Sequence, residues 1–203
     1  MMNKGTKIFI AFLGCFLSFN VLFSQQSQWN IDTNHSAIGF EISYFGIGTV
    51  KGSFDQFEGS LSLNGDDITD AQFTFTIQAA SINTNQKTRD EHLRGTDFFN
   101  VQENPEIQFN STAVKKTTDK NYQVEGTFLM GGISKSINLQ VTDKGDFFHP
   151  RFKRTVKVLE VTGVVLREQH GIGTSYGPAA KALGNEVAFK AQIQLTEKTN
   201  SGQ

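Results

Sequence analysis

Apolar and polar residues alternate along most of this 203-residue chain, and this alternation restricts the fold more than any other feature. The clearest example is the segment from Ala71 to Ala79, in which Phe73, Phe75 and Ile77 alternate with polar residues. Roughly eight segments share this period of two, which is typical of β-strands with one buried face. Because each segment also keeps a polar face, the pattern indicates antiparallel pairing. We predict an all-β fold, an antiparallel barrel of about eight strands, with a two-sheet sandwich as the alternative.

The alternation stops in the middle of the chain, between Ser81 and Phe109. Thr88 followed by Glu91 has the spacing of a capping box, in which both side chains satisfy free backbone N–H groups at a helix start. Gly95 is suited to end a helix. We therefore predict one short helix, Arg89 to Arg94, that plugs the mouth of the barrel.

The second half of the chain contains two further irregular segments. Pro178 suits the first turn of a helix, so a second short helix is predicted from Gly177 to Leu183. The segment from Asp143 to Arg154 carries three phenylalanines among polar and basic residues, and we predict that it is a loop. The apolar phase of the following strand shifts near Leu159, which indicates a β-bulge.

The composition excludes one class of partner. The formal net charge is −1 and no basic cluster stands out, so no nucleic-acid partner is predicted. Phenylalanine accounts for 19 residues, a high number for a chain of this length. A barrel with Phe-rich inward positions has either a packed core or a channel lined by aromatic rings.

Residues 1–24 have the pattern of a secretory signal peptide. Basic residues precede an apolar run from Ile8 to Phe23, and we expect cleavage after Ser24. Residues 25–203 then form one barrel domain that is periplasmic or secreted. A retained membrane anchor is the alternative.

Cys15, the single cysteine, lies inside this apolar run. Acylation of Cys15 would make the protein a lipoprotein, and this alternative stays open. The apolar run continues past Cys15 to Phe23, which favours an ordinary signal peptide. After cleavage the domain has no thiol, so its stability would come from the core and the strand ladders rather than from disulfides.

Two groups of spaced residues resemble a known family. The central group is Ser81, Ile82, Thr84, Arg89, Asp90, His92, Leu93, Asp97, Phe98, Phe99, Pro105, Ile107, Phe109 and Ser111. The N-terminal group is Trp29, Ile31, Asp32, His35, Ser36, Phe40, Val50, Gly52, Phe54, Phe57, Gly59 and Leu61. Both resemble the YceI-like family, and the resemblance extends from Trp29 to Leu195.

The resemblance implies a lipocalin-like barrel that holds a polyisoprenoid chain in an apolar channel. The ligand would be a polyprenyl phosphate, a polyprenol or an isoprenoid quinone, bound for transport, storage or stress protection. Hiding apolar surface from water yields about 25 cal/mol per Å², so such a channel needs few polar contacts. The predicted channel residues are Phe40, Ile42, Tyr44, Phe54, Phe57, Phe73, Phe75, Ile77, Phe98, Phe99, Phe109, Phe128, Met130 and Phe189.

Polar side chains near the openings are candidates for the polar end of the ligand. The four chosen are His35, Arg89, His92 and Arg167. For Arg89 the alternative is a structural role, in which the guanidinium fastens the plug to the barrel backbone. The four histidines lack metal-ligand spacing, so neither a metal nor another cofactor is predicted.

Two other functions compete with lipid binding. One is an enzyme that uses His35, Arg89 and His92 on a small substrate, although no nucleophile or paired carboxylates support it. Our prediction is that the protein is not an enzyme. The other is a solid barrel that acts through a surface carrying Phe147, Phe148 and Phe152. A membrane surface, in transient contact, and a second copy of the chain are further candidate partners.

Overall fold

The computed structural model describes residues 26–64 and 67–198. The predicted signal peptide and Cys15 lie outside these residues. Within the described ranges, none of the helices is long and apolar enough to span a membrane.

Strands dominate the secondary structure. They are β1 (Gln26–Ile31), β2 (Ala37–Tyr44), β3 (Gly48–Phe54), β4 (Phe57–Asn64), β5 (Gln72–Gln78), β6 (Ile82–Asn83), β7 (Glu106–Lys116), β8 (Asn121–Met130), β9 (Ile133–His149), β10 (Arg154–Leu166) and β11 (Leu183–Glu197). In the described part of the chain, two α-helices interrupt them, α1 (Lys87–Arg94) and α2 (Gly177–Ala182). Short 3-10 turns cover Ile68–Asp70, Ala79–Ser81 and Arg167–His170.

Eight strands close into a barrel in the order β1, β4, β5, β7, β8, β9, β10 and β11, and β11 pairs again with β1. Every pairing is antiparallel. Strands β2, β3 and β6 pair in turn beside β11 and lengthen the wall past the ends of β1, β4 and β5. The prediction of an antiparallel barrel of about eight strands with short helices is confirmed, and the sandwich alternative is wrong.

The barrel has two distinct ends. Tyr44 at the end of β2 pairs with Leu183 at the start of β11, and both helices lie at this mouth end. Strand β10 also finishes here, beside Glu186, so the β9–β10 turn at the start of β10 lies at the far end.

The predicted loop from Asp143 to Arg154 is wrong. Strand β9 continues to His149 and β10 begins at Arg154, so these residues form a hairpin with a short turn. A register shift between Val158 and Leu159, opposite Gly145, places an extra residue in β9. This bulge breaks the apolar phase, which explains why alternation did not reveal the strand. The bulge near Leu159 was predicted correctly.

Aliphatic and aromatic side chains pack the interior at the far end. Leu61, Leu159 and Val124 are fully enclosed, and Trp29 and Tyr122 are buried beside them. Leu61, Val124 and Leu159 belong to one continuous cluster of buried apolar residues.

Candidate functional site: the barrel cavity

A cavity of about 1090 Å³ occupies the interior of the barrel. Its volume lies just above the range of about 300–1000 Å³ common for small-molecule sites. Apolar side chains from most strands and both helices line it. A solid barrel, one of the alternatives considered from the sequence, is therefore contradicted.

The predicted channel residues lie on the wall of this cavity, with Phe57 as the exception. Phe57 instead stacks on Phe75, with ring centroids 5.9 Å apart, outside the lined space. The choice of Phe57 rested on its place in the alternation, which assigns a face of the sheet but not a depth along the barrel. That the other residues contact a ligand remains a prediction.

Sequence reasoning missed part of the wall. The missed residues include Phe45, Val124, Leu139, Val141, Leu159, Val161, Val165, Tyr176, Lys181 and Leu183. The bulge in β9 and β10 hid the inward positions of β10, because the alternation changes phase there. Phe45 lies in a turn, where period-two reasoning does not apply.

Glycines in the wall explain how a Phe-rich barrel stays hollow. In three cross-strand pairs a phenylalanine ring lies over the glycine opposite: Phe40 over Gly52, Phe75 over Gly59 and Phe189 over Gly163. A Cβ added at residue 163 would come within 2.7 Å of the Phe189 ring. Since glycine leaves this space free, the ring can lie along the wall rather than project into the cavity.

Helix α1 forms part of the mouth, and it begins earlier than predicted. The N-cap residue is Gln86, whose side-chain oxygen accepts a hydrogen bond from the Arg89 N–H. The predicted capping box at Thr88 and Glu91 is therefore wrong: Gln86 provides the acceptor two residues upstream. The predicted end is correct, with Arg94 as the last helical residue.

A buried hydrogen-bond network fastens α1 to the chain segment that precedes it. The Asp90 carboxylate, which is 7% exposed, accepts bonds from the Thr84 N–H at 2.8 Å and from the Thr84 hydroxyl. The Arg89 guanidinium donates to the Thr84 hydroxyl at 2.7 Å and to the Thr84 carbonyl at 2.8 Å. Arg89 and Asp90 therefore both hold Thr84 in place, as the structural alternative for Arg89 requires.

Arg94 anchors the other end of the helix. Its guanidinium donates to the carbonyls of Ala80 at 2.7 Å and Ile82 at 2.9 Å. Asp90 and Arg94 lie one helical turn apart, a spacing that allows an ion pair. The Asp90 carboxylate bonds to Thr84 instead. The Arg94 guanidinium thus bonds to the carbonyls of the 3-10 turn and of β6 rather than to a carboxylate.

His92 lies at the rim between the two helices. Its Nε2 atom is 2.9 Å from the Asp97 carboxylate, and its ring makes edge contacts with Phe98 and Tyr176 at 5.0 and 4.9 Å. His92 and Tyr176 both line the cavity. This aromatic cluster joins α1 to the segment that leads into α2.

Arg167 lines the cavity but already has partners for its guanidinium. It is 3% exposed and donates to the carbonyls of Ile172 and Gly184, both at 2.8 Å. A further contact reaches the Glu168 carboxylate at 3.0 Å. Arg167 therefore ties the loop before α2 to the start of β11, and the prediction that it meets a ligand loses support.

His35 does not lie on the cavity wall. It pairs with Asp32 at 3.0 Å, and both residues line a small separate cleft with His149 and Phe152 at the far end. The enzyme hypothesis required His35, Arg89 and His92 in one pocket. They do not converge, because Arg89 and His92 lie at the mouth end.

The charges on the cavity wall have one sign. Among the described residues, the wall includes Arg89, Arg167 and Lys181 but no carboxylate. Two carboxyls of the described residues have shifted pKa values, and neither lies on this wall: hydrogen bonds from Thr69 lower the pKa of Asp67, and a hydrogen bond from Lys190 lowers that of Glu160.

The YceI-like domain model matches residues 29–195, most of the chain. The chain belongs to the YceI-like domain family. A UPF0312 protein of Staphylococcus aureus strain USA300 is 30% identical over 172 residues, which cover 84% of this chain and 98% of that protein. A UPF0312 protein of Photorhabdus laumondii is 36% identical over 117 residues, covering 58% of this chain and 60% of that protein. The expected family is confirmed.

Two solved structures share the fold of this YceI-like chain. BcnA from Burkholderia cenocepacia superposes with a TM-score of 0.73 at 18% identity, over 81% of this chain and 98% of that one. A polyisoprenoid-binding domain from Saccharophagus degradans, implicated in plant cell wall breakdown, gives a TM-score of 0.65 at 13% identity, over 84% and 98%. At these identities the likeness concerns the fold. Family and cavity together describe a barrel binding protein.

Proposed function

We propose that this protein binds a single isoprenoid lipid, with the hydrocarbon chain inside the barrel and its polar end at the mouth between α1 and α2. The observation that carries the proposal is the apolar cavity of about 1090 Å³. A flexible hydrocarbon suits it, because the wall is mostly apolar and the rings of Phe40, Phe75 and Phe189 lie over glycines on the neighbouring strands. The fold shared with a polyisoprenoid-binding domain supports the same class of ligand.

The energetics favour a long apolar chain over a small polar substrate. Apolar surface hidden from water contributes about 25 cal/mol per Å², and an isoprenoid chain gains along its whole length. A polar substrate would need matched donors and acceptors inside the barrel. The two arginines on the wall are held by backbone carbonyls and by Thr84, so the enzyme alternative has no remaining support from these groups.

We propose further that the protein acts outside the cytoplasm, in the periplasm or after secretion, as a carrier or store of this lipid. Support comes from the basic start and apolar run of residues 1–24. Sequencing the N-terminus of protein recovered from the periplasm tests this directly. A mature chain that begins near residue 25 supports export by signal peptide, whereas an acylated Cys15 at the N-terminus would assign a lipoprotein.

Organic extraction of the purified protein, followed by mass spectrometry, tests the proposed ligand. The expected result is a prenyl lipid in roughly equal amount to the protein, or its uptake from added polyprenol or isoprenoid quinone. The absence of both bound prenyl lipid and uptake would contradict the proposal.

A further inference from the structure

The turn between β2 and β3 presents apolar side chains to solvent. Ile47 is 97% exposed and Phe45 is 59% exposed. The Phe45 ring packs on Tyr44, which is also exposed, with centroids 4.6 Å apart. We call residues 44–48 the hairpin tip.

The hairpin tip is part of the cavity mouth. Tyr44 and Phe45 line the cavity as well as the outer surface. The Phe45 N–H donates to the Ala182 carbonyl at the end of α2, at 2.7 Å. The exposed residues of the cavity wall lie on the hairpin tip, on α1 and on α2, with Thr74 as the one exception among the described residues. An apolar surface therefore runs without interruption from the solvent side of the tip into the barrel.

Local folding does not account for the aromatic residue at the tip. Phe45 and Gly46 have positive φ angles of 49° and 71°, and the Ile47 N–H donates to the Tyr44 carbonyl at 3.3 Å. This is a β-turn over residues 44–47 with both central residues in the left-handed region, a geometry dominated by Gly, Asn and Asp. A bulky residue at positive φ is unusual, and such outliers cluster at functional sites.

We propose that the hairpin tip docks onto a lipid bilayer, so that the cavity mouth opens toward the hydrocarbon from which an isoprenoid chain is taken or returned. The inference rests on the proposed lipid-binding function and adds the surface through which the ligand reaches the barrel. Phe45 and Ile47 enter the interfacial region, and the continuous apolar wall lets the chain slide in without crossing water. Exposed aromatic and aliphatic side chains are the residues that anchor peripheral proteins at this depth.

The size and charge of the tip favour a bilayer over a protein partner. A stable protein interface covers about 800 Å² on each partner, with shape-matched surfaces. The tip offers only a few side chains on one narrow turn, too little for such an interface, whereas a bilayer needs no complementary shape. Lys181, exposed on α2 at the same rim, adds attraction to anionic lipid headgroups.

Vesicle sedimentation tests the docking surface. The vesicles contain phosphatidylcholine and phosphatidylglycerol and no prenyl lipid. We expect the wild-type protein to sediment with them and Ile47→Ser to lower the bound fraction at least fivefold. Phe148→Ser is the matched control, since Phe148 is 63% exposed but lies on the β9–β10 hairpin at the far end, and it should bind vesicles like wild type.

Binding of polyprenol in detergent micelles separates docking from lipid binding. Ile47 does not line the cavity, so Ile47→Ser should bind polyprenol as the wild type does. If the wild-type protein binds polyprenol in detergent but does not bind to vesicles, the docking proposal is overturned and the proposed lipid-binding function stands. Protein that binds vesicles but no prenyl lipid would contradict the proposed function alone.

Two further results would overturn the proposal that the hairpin tip docks onto a bilayer. Loss of vesicle binding in Phe148→Ser, with Ile47→Ser unaffected, would move the surface to the far end and overturn the proposal. The wild type could instead form a dimer and fail to bind vesicles. If Ile47→Ser then abolishes the dimer, the hairpin tip contacts a second copy of the chain and the docking proposal is overturned.

Discussion

Phe189 and Gly163 lie directly opposite each other on β11 and β10, and the aromatic ring occupies the space that a side chain at residue 163 would need. The same arrangement joins Phe40 to Gly52 on β2 and β3. Large residues thus line the wall without filling the interior. We infer that the hollow barrel depends as much on the positions of its glycines as on its phenylalanines.

Gly163→Ala is predicted to displace the Phe189 ring into the cavity. Overpacking of this kind typically costs about 1–3 kcal/mol, which urea denaturation measures. Prenyl-lipid binding should weaken as well, because the ring then occupies space that the ligand uses. Gly39→Ala is the matched control, since its Cβ would meet only ordinary contacts at 3.7 Å or more. Equal stability and affinity for the two variants would show that the space over Gly163 is unimportant.

Asp90→Ala is predicted to loosen the plug. The variant leaves the buried Thr84 N–H without its acceptor, and an unsatisfied buried donor costs about 1–3 kcal/mol of unfolding free energy. Glu91→Ala serves as control, because Glu91 makes only an exposed contact with Lys87, at 3.9 Å. Such surface pairs contribute about 0–1 kcal/mol. A control variant as unstable as Asp90→Ala would contradict the role given to Thr84.

Arg89→Ala distinguishes a structural role from contact with a ligand headgroup. Because the Arg89 guanidinium is bonded to Thr84, we expect a lower melting temperature and an equal loss of affinity for polyprenol and polyprenyl phosphate. Thermal denaturation and parallel titrations with the two lipids provide the measurements. An unchanged melting temperature with selective loss of the phosphate-bearing lipid would instead assign Arg89 to the headgroup.

Phe45→Asn is predicted to stabilise the fold. Asparagine tolerates the left-handed conformation that Phe45 adopts at a φ of 49°. Relief of this strain is worth about 1 kcal/mol, which raises the melting temperature by about 2–4 °C in a chain of this size. Differential scanning calorimetry measures the change. A lower melting temperature would mean that the Phe45 ring stabilises the turn by more than its backbone strain costs.

Period-two alternation predicts most of the barrel, because a strand with one buried face must alternate whatever its neighbours are. It assigns Phe40, Phe75 and Phe189 to the inner face, and all three line the cavity. Alternation does not give depth along the barrel axis, which is why it predicts Phe57 on the cavity wall although Phe57 lies outside it. It also failed at β9 and β10, where a bulge changes the phase.

The helix caps and polar contacts were predictable only in part. Residue spacing located α1, but the competition between Gln86 and Thr88 for the cap depends on how the preceding turn enters the helix. Likewise, helical spacing allows Asp90 to pair with Arg94, whereas in the fold Asp90 bonds to Thr84 and Arg94 bonds to backbone carbonyls. These contacts join chain segments by tertiary packing, which local sequence does not specify.

Native mass spectrometry of lipid uptake tests the central claim, that one isoprenoid chain occupies the barrel. Delipidated wild-type protein is mixed with polyprenol and compared with Val161→Trp, which places a large side chain on the cavity wall. The account predicts one polyprenol per wild-type chain and at least tenfold less uptake by the variant, with circular dichroism showing that the variant is folded. Uptake that is absent from the wild type, or equal in the folded variant, would contradict it.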